Sequence, residues 1–162
     1  MKTKTFLLLG TNLGDRKKNL TIARNAIKLN VGEIVQTSSI YQTAAWGKPD
    51  QPDFLNQAIE VETELPAASV LNEILDVERI MGRVRSVKWS ERLIDIDMLL
   101  YENAIINSPE LILPHPQLPF RRFALTPLAE IASDYIHPQL KLTIAQLLKQ
   151  CPDVLEVSVI EN

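Results

Sequence analysis

Leu93-Ile94-Asp95-Ile96-Asp97-Met98-Leu99-Leu100-Tyr101 is the stretch on which the fold turns. Apolar and acidic residues alternate through its first half, the period of a strand with unlike faces. Asp95 and Asp97 then point one way, and Ile94, Ile96 and Met98 the other, into a core. Upstream, Pro66 suits the first turn of a helix whose stripe is Val70, Leu71, Ile74, Val77 and Met81, with Gly82 at its C′ position. Before that helix, residues 54–64 alternate again and read as a half-exposed strand. Leu55, Ile59 and Val61 lie on one side of it, and Phe54, Asn56, Glu60 and Glu62 on the other. Residues 34–43 form another strand, and 44–53, with Gly47, Pro49 and Pro52, a loop. At the start, residues 5–9 read as a buried strand closed by a turn at Gly10-Thr11-Asn12. Asp15 then caps a helix carrying Leu20, Ala23 and Ile27, which ends over residues 30–32.

Strand, helix, two strands, helix, strand is the order of a ferredoxin-like α+β sandwich, a mostly antiparallel sheet with helices packed on it. Downstream, a short strand over 104–106 and an irregular proline-rich stretch over 109–119 are expected. Helices over 123–131 and 140–148 and a closing strand over 154–160 complete the chain. No repeat or linker interrupts it, so residues 1–162 read as one domain with a single core.

Apolar residues make up 46% of the chain and charged ones 23%, which excludes a disordered polymer. Phe6-Leu7-Leu8-Leu9 is far too short to span a bilayer. Met1-Lys2-Thr3-Lys4 leads into no apolar h-region or cleavage site, and the lone Cys151 has no disulfide partner, so the expectation is a cytoplasmic protein that makes no use of membranes. Cys151 itself reads as a small half-buried hydrophobe near a helix end. A net charge of −3 offers no field for holding nucleic acid. The cations are nevertheless clustered: Arg79, Arg83, Arg85, Lys88 and Arg92 in one stretch, Arg121 and Arg122 in another. Local arginines on an acidic protein suit a small, highly charged ligand such as a nucleoside triphosphate.

Two carboxylates about 7 Å apart on one strand face repel each other unless a cation lies between them. Hard oxygen ligands favour Mg²⁺, which fills its shell with water and substrate phosphates. Alone, Asp95 and Asp97 are equally compatible with a solvated strand face; the apolar flank and the neighbouring arginines tip the balance. Guanidinium forks grip phosphate oxygens and stay charged at any working pH. Metal plus arginines is what phosphoryl transfer requires, positioning and charge neutralisation with little covalent help. His115, between Pro114 and Pro116, is either a phosphate donor or a loop histidine, and His137 reads as structural. Glu78, on the helix, either contacts a ligand or is solvated. Phe54 and Asn56 share a face, so a flat heterocycle could stack on one and pair its edge with the other. Local pattern alone favours core packing for Phe123 and surface packing for Trp89. No P-loop, protein-kinase glycine loop, Gly-x-Ser-x-Gly or His/Cys metal cluster is present.

Ordered segments along the chain resemble the 6-hydroxymethyl-7,8-dihydropterin pyrophosphokinase family. They are Gly10-Thr11-Asn12-Leu13-Gly14-Asp15, Ser38-Ser39-Ile40-Tyr41-Gln42-Thr43 and Asp50-Gln51-Pro52-Asp53-Phe54-Leu55-Asn56. Glu78-Arg79-Ile80-Met81-Gly82-Arg83-Val84-Arg85 and Arg92-Leu93-Ile94-Asp95-Ile96-Asp97 follow. Pro114-His115-Pro116, Arg121-Arg122-Phe123 and Pro127-Leu128-Ala129-Glu130-Ile131-Ala132 complete the match. The resemblance implies transfer of the β,γ-diphosphate of ATP to the pterin hydroxymethyl group in folate biosynthesis, with AMP leaving. It implies that Asp95 and Asp97 bind two Mg²⁺ and that Arg83 and Arg92 grip the transferred phosphates. Glu78, Arg85, Trp89, His115 and Arg121 would lie on the ATP side, and Thr43, Phe54, Asn56 and Phe123 around the pterin, in a chain that works as a monomer. Ser90-Glu91 stands where the family often has Gly-Pro, Phe54 where tyrosine is frequent, and Ala44-Ala45 where a proline pair is common. Glu110 and Gln117 stand where some relatives carry arginine.

Two rivals share the expected scaffold. An RNA-recognition module needs a basic sheet face with exposed aromatics, against which the acidic composition argues. A nucleotidyl cyclase or polymerase-palm relative would also set acids on such a strand, and releases pyrophosphate instead of AMP.

Overall fold

The computed structural model describes residues 2–44, 52–82 and 93–160. β1 (Thr3–Thr11) leads to α1 (Arg16–Asn30), then β2 (Gly32–Thr37), β3 (Tyr41–Thr43), β4 (Phe54–Thr63) and α2 (Ala67–Ile80). β5 (Asp95–Tyr101) follows, then a small hairpin of β6 (Ile106–Asn107) and β7 (Ile112–Leu113). A 3₁₀ turn at Leu118–Phe120 precedes α3 (Arg122–Ala132), α4 (Ile144–Gln150) and β8 (Ser158–Val159). The main sheet runs β5-β1-β4-β3-β8, with β2 also on β4, and every pair is antiparallel. With β2 and β3 taken as one interrupted strand, the first five strands stand in ferredoxin-like order, as expected.

The signals that start and stop helices behave as read. Asp15 accepts a hydrogen bond from the Lys18 N–H and caps α1, and Gly82 takes φ +87° just past α2. Ile94, Ile96 and Met98 are buried with Leu7 and Leu9 under α1 and α2, whose Leu20, Ala23, Ile27, Val70, Ile74 and Val77 close that side.

Other expectations are corrected. β1 runs on through Gly10 and Thr11, so the turn begins at Asn12. The expected strand over 34–43 is two strands broken at Ser38, which is buried. The Ser38 hydroxyl accepts from the Ala58 N–H, and its own N–H donates to the Ala58 carbonyl, so this break is tied to β4 by a side chain. β4 is buried almost throughout, not half exposed, because α3, backed by α4, covers the face that the sequence leaves polar. Phe6, Leu8, Ala58, Leu99 and Leu100 form a second core there with Ala124, Leu125, Leu128, Ile144 and Leu147. Leu99 and Leu100 both reach it because the β1–β5 register slips between Phe6 and Leu7, inserting a bulge. The central strands β1 and β4, covered on both faces, leave no platform for stacking RNA bases there. The proline-rich stretch also holds β7 and the 3₁₀ turn, and the closing strand shrinks to Ser158–Val159. Cys151 is buried beside the second core at the end of α4, and His137 is held by the Gln139 and Leu140 N–H groups on its Nδ1.

α4 is shorter than the apolar pattern suggests because Thr143 and Gln146 form a capping box that fixes its start. Replacing Thr143 by Ala should lower unfolding free energy by about 1 kcal/mol. Urea titration followed by circular dichroism measures it, and an unchanged midpoint would deny the cap its role.

Candidate active site

The antiparallel register lays side chains in rows across the sheet, and one row contains a gap. Asn56 of β4, Gly10 of β1 and Asp95 of β5 stand side by side, with Ala58, Leu8 and Asp97 in the row below. Gly10 has no side chain, and a Cβ there would stand 2.8 Å from Asn56 Nδ2. The missing side chain opens the floor of a cavity of about 490 Å³. Its walls are Thr43 of β3 with Ala44 just after it, Phe54 of β4, Phe120 of the 3₁₀ turn with Gln117 just before it, Phe123 of α3 with Arg121 just before that helix, and Asp153 and Leu155 from the tail.

Each wall has a structural support. Phe54 begins β4 next to Asp53, whose carbonyl accepts from Arg16 Nη1 of α1 at 2.8 Å and whose carboxylate accepts from Gln42 Nε2 of β3 at 2.7 Å. Asn12 Nδ2 donates to the Pro52 carbonyl at 3.2 Å, so the turn that follows β1 steadies the same segment. Phe123 packs partly on the second core, and the Arg121 guanidinium lies 5.6 Å from its ring centroid, within cation–π range. Asn56 is buried, and among the described residues its Oδ1 is the one buried side-chain oxygen or nitrogen without a hydrogen-bond partner. A buried acceptor left so is unfavourable by about 1–3 kcal/mol until a donor reaches it.

The cavity thus brings together seven residues the sequence singles out: Thr43, Phe54, Asn56, Asp95, Asp97, Arg121 and Phe123. Phe123 serves both core and cavity, beyond the core packing that its local pattern favours. Glu78 does not line the cavity and is not solvated. It is buried between α2 and β5, where Oε2 accepts the Ile96 N–H at 2.8 Å, on the backbone between the two aspartates. The His115 N–H donates to the Leu99 carbonyl, so both groups fasten to β5, the last strand of the sheet. Arg83, Arg85, Lys88, Trp89 and Arg92 lie outside the described residues. Among the described residues no three His, Cys, Asp or Glu side chains converge as a metal cage, so a cation held by Asp95 and Asp97 would complete its shell from water or a ligand's oxygens. Leu8, Gly10, Phe120, Asp153 and Leu155 escaped the sequence reading. Gly10 could have been suspected as a glycine ending an apolar run, but nothing local ties the tail to this cavity.

Residues 6–133 match the family model described as 7,8-dihydro-6-hydroxymethylpterin-pyrophosphokinase. A 2-amino-4-hydroxy-6-hydroxymethyldihydropteridine pyrophosphokinase of Haemophilus influenzae is 40% identical over 149 residues, 91% of this chain and 92% of that protein. The Methylorubrum extorquens protein of the same name is 42% identical, over 83% of this chain and 85% of its own. In fold, a crystal structure of Plasmodium falciparum HPPK-DHPS A437G with pteroate aligns at a TM-score of 0.77 and 17% identity, covering 93% of this chain. This chain spans 43% of that longer one.

His115 sets the electrostatics beside the aspartates. Burial, then the charge of Arg121, push its pKa from 6.5 down to about 4, and Asp95 opposes them weakly. Its Nδ1 accepts the Gln117 N–H at 3.1 Å, so the neutral ring keeps its proton on Nε2 as a donor. Because the folded pKa lies below the unfolded one, the unfolded chain binds the extra proton between these values. Stability from this group is therefore full above pH 6.5 and is lost as pH falls towards 4. Urea unfolding at pH 7 and pH 5 should show a steeper loss for the wild type than for His115→Gln, and parallel losses would mean that the imidazole is not held neutral.

Proposed function

The chain belongs to the 7,8-dihydro-6-hydroxymethylpterin-pyrophosphokinase family, and on that premise we propose that its cavity seats the pterin while the Asp95–Asp97 face receives the triphosphate of ATP. It transfers pyrophosphate from ATP to the hydroxymethyl group of 6-hydroxymethyl-7,8-dihydropterin, a step of folate biosynthesis. The observation that carries this reading is the row Asn56–Gly10–Asp95, which sets an unsatisfied acceptor and a carboxylate on either side of a gap.

A flat heterocycle fits the gap. Phe54 offers a ring from the sheet side and Phe123 one from α3, and Asn56 Oδ1 accepts a ring N–H that would otherwise lose its water. The pterin hydroxyl then points along the floor towards Asp95 and Asp97. Its oxygen forms a bond to the β-phosphorus of ATP as the bond from that phosphorus to the α-phosphate bridging oxygen breaks; AMP leaves with that oxygen, and the hydroxyl proton passes to a phosphate oxygen or to water. Asp95 and Asp97 fit two Mg²⁺ ions: both are hard oxygen donors on one strand face against the cavity, too few alone to complete a shell. When bound there, Mg²⁺ would neutralise the triphosphate and help align its oxygens. His115 donates from Nε2–H to a phosphate oxygen and Arg121 supplies positive charge at the mouth; by resemblance to the family, Arg83 and Arg92 would grip the transferred phosphates, and Arg85 and Trp89 would serve the nucleotide. Glu78 acts as a positioning residue, holding the backbone between the two aspartates.

Among the described residues no helix is long and apolar enough to cross a membrane, and a free, buried Cys151 suits the reducing cytoplasm.

Protein incubated with ATP, Mg²⁺ and the pterin alcohol should yield AMP and a pterin diphosphate, and no AMP when the alcohol is omitted. Pyrophosphate release would instead indicate a nucleotidyl transferase. Asp97→Ala should lower turnover by roughly 100-fold or more with its melting temperature nearly kept, because the side chain faces the cavity. Activity that merely followed lost stability would make Asp97 structural. Gly10→Ala should raise the KM for the pterin about tenfold by pushing Asn56 from its place, with the KM for ATP little changed. Equal effects on both would remove the glycine gap from the pterin site.

A further inference from the structure

The tail after α4 passes over the cavity before pairing with β3. Asp153 and Leu155 line the cavity, and Ser158 and Val159 then pair with Gln42 and Tyr41, beside Thr43. Where the tail meets α3, Arg121 gives that helix no side-chain cap. The missing cap comes from 31 residues away. Asp153 Oδ2 accepts the Arg122 N–H at 3.1 Å, and the Asp153 carbonyl accepts Arg122 Nε at 2.8 Å. The other carboxylate oxygen, Oδ1, accepts the Leu155 N–H at 2.9 Å. One side chain therefore joins the first turn of α3, which carries Phe123, to Leu155, a tail residue that lines the same cavity.

We propose that Asp153 is a positioning residue for the pterin, setting the spacing between Phe123 and Leu155 and hence the affinity and selectivity of the pocket for a flat bicyclic ring. The inference rests on reading the cavity as the pterin site. A carboxylate on a helix N-terminal N–H is a stabilising device wherever it occurs, and a cap alone would explain the bond to Arg122. It would not explain why the same carboxylate also orders Leu155, or why both residues line the cavity. The Arg121–Arg122 pair is divided accordingly, with Arg121 against the Phe123 ring and Arg122 turned to the tail.

The test is calorimetric titration of the full-length protein with the pterin alcohol in the presence of Mg²⁺ and an unreactive ATP analogue, and with the analogue alone. Asp153→Ala should weaken pterin binding by about tenfold, the equivalent of one charge-assisted hydrogen bond. Asp153→Asn, which keeps one acceptor oxygen, should recover part of that loss. Leu155→Ala alters the wall but not the cap, and should weaken the pterin by a comparable factor with its melting temperature nearly that of the wild type. Affinity for the nucleotide analogue should stay within about twofold throughout, because the proposal sets Asp153 and Leu155 against the ring and not against the phosphates. Wild-type pterin affinity in both Asp153→Ala and Leu155→Ala, with only the melting temperature of the former lowered, would reduce Asp153 to a helix cap and overturn the proposal. Equal weakening of both ligands by Asp153→Ala, with no effect of Leu155→Ala, would overturn it too. A wild-type protein that turns over ATP but binds no pterin would sink the reading of the cavity, and the inference with it.

Discussion

The antiparallel pairing of β1 with both β4 and β5 is the constraint from which the molecule follows. It stacks Leu7 and Leu9 under α1 and α2, and Phe6 and Leu8 under α3 and α4, so the apolar run at the middle of the central strand is buried on both faces. Burial of that kind is roughly proportional to the apolar area removed from water, and it needs a cover on each side. The same register brings Asn56 and Asp95 to the two flanks of Gly10. The cavity lies where the central strand ceases to present a side chain. The site is thus a local interruption of the core, and its floor has the rigidity of the sheet.

The polar groups around this interruption fall into two classes. Those that hold geometry are satisfied: Glu78 takes the Ile96 N–H, His115 gives its N–H to Leu99, and Asp153 closes α3 against the tail. The side-chain oxygen of Asn56, a residue that lines the cavity, is not satisfied by any described residue. A fold that pairs its buried polar groups with such consistency retains an orphan at a small cost in stability, and the cost is recovered when a ligand donor arrives. The aspartates follow a related logic. Two like charges close together on one face favour whatever brings positive charge to them, which couples the binding of a cation to that of a polyanion.

Much of this was legible along the chain. Alternation around Asp95 and Asp97 places them on one face and Ile94, Ile96 and Met98 in the core, because side chains of a strand alternate whatever surrounds it. Asp15 and Gly82 announce helix ends because capping is local chemistry. Seven of the expected site residues meet in one cavity, and Phe54 and Asn56 share a wall as their spacing of two requires.

Other features depend on partners far away in sequence, and there the chain alone was silent or misleading. β4 reads as half exposed because Asn56, Glu60 and Glu62 are polar, yet α3 arrives from far downstream to cover that face. Glu78 reads as a surface or ligand residue until β5 is laid against α2 and its carboxylate meets a strand N–H. Gly10 looks like the start of a turn, and only its neighbours across two strands make it the gap in a floor. Sequence by itself determined the periodicities, the caps and the chemical character of the aspartates, all of which act over a few residues. Tertiary structure decided which faces are dry, which carboxylate is a fastener and where the cavity opens, because burial and cross-strand register are properties of pairs that the chain brings together only when it folds.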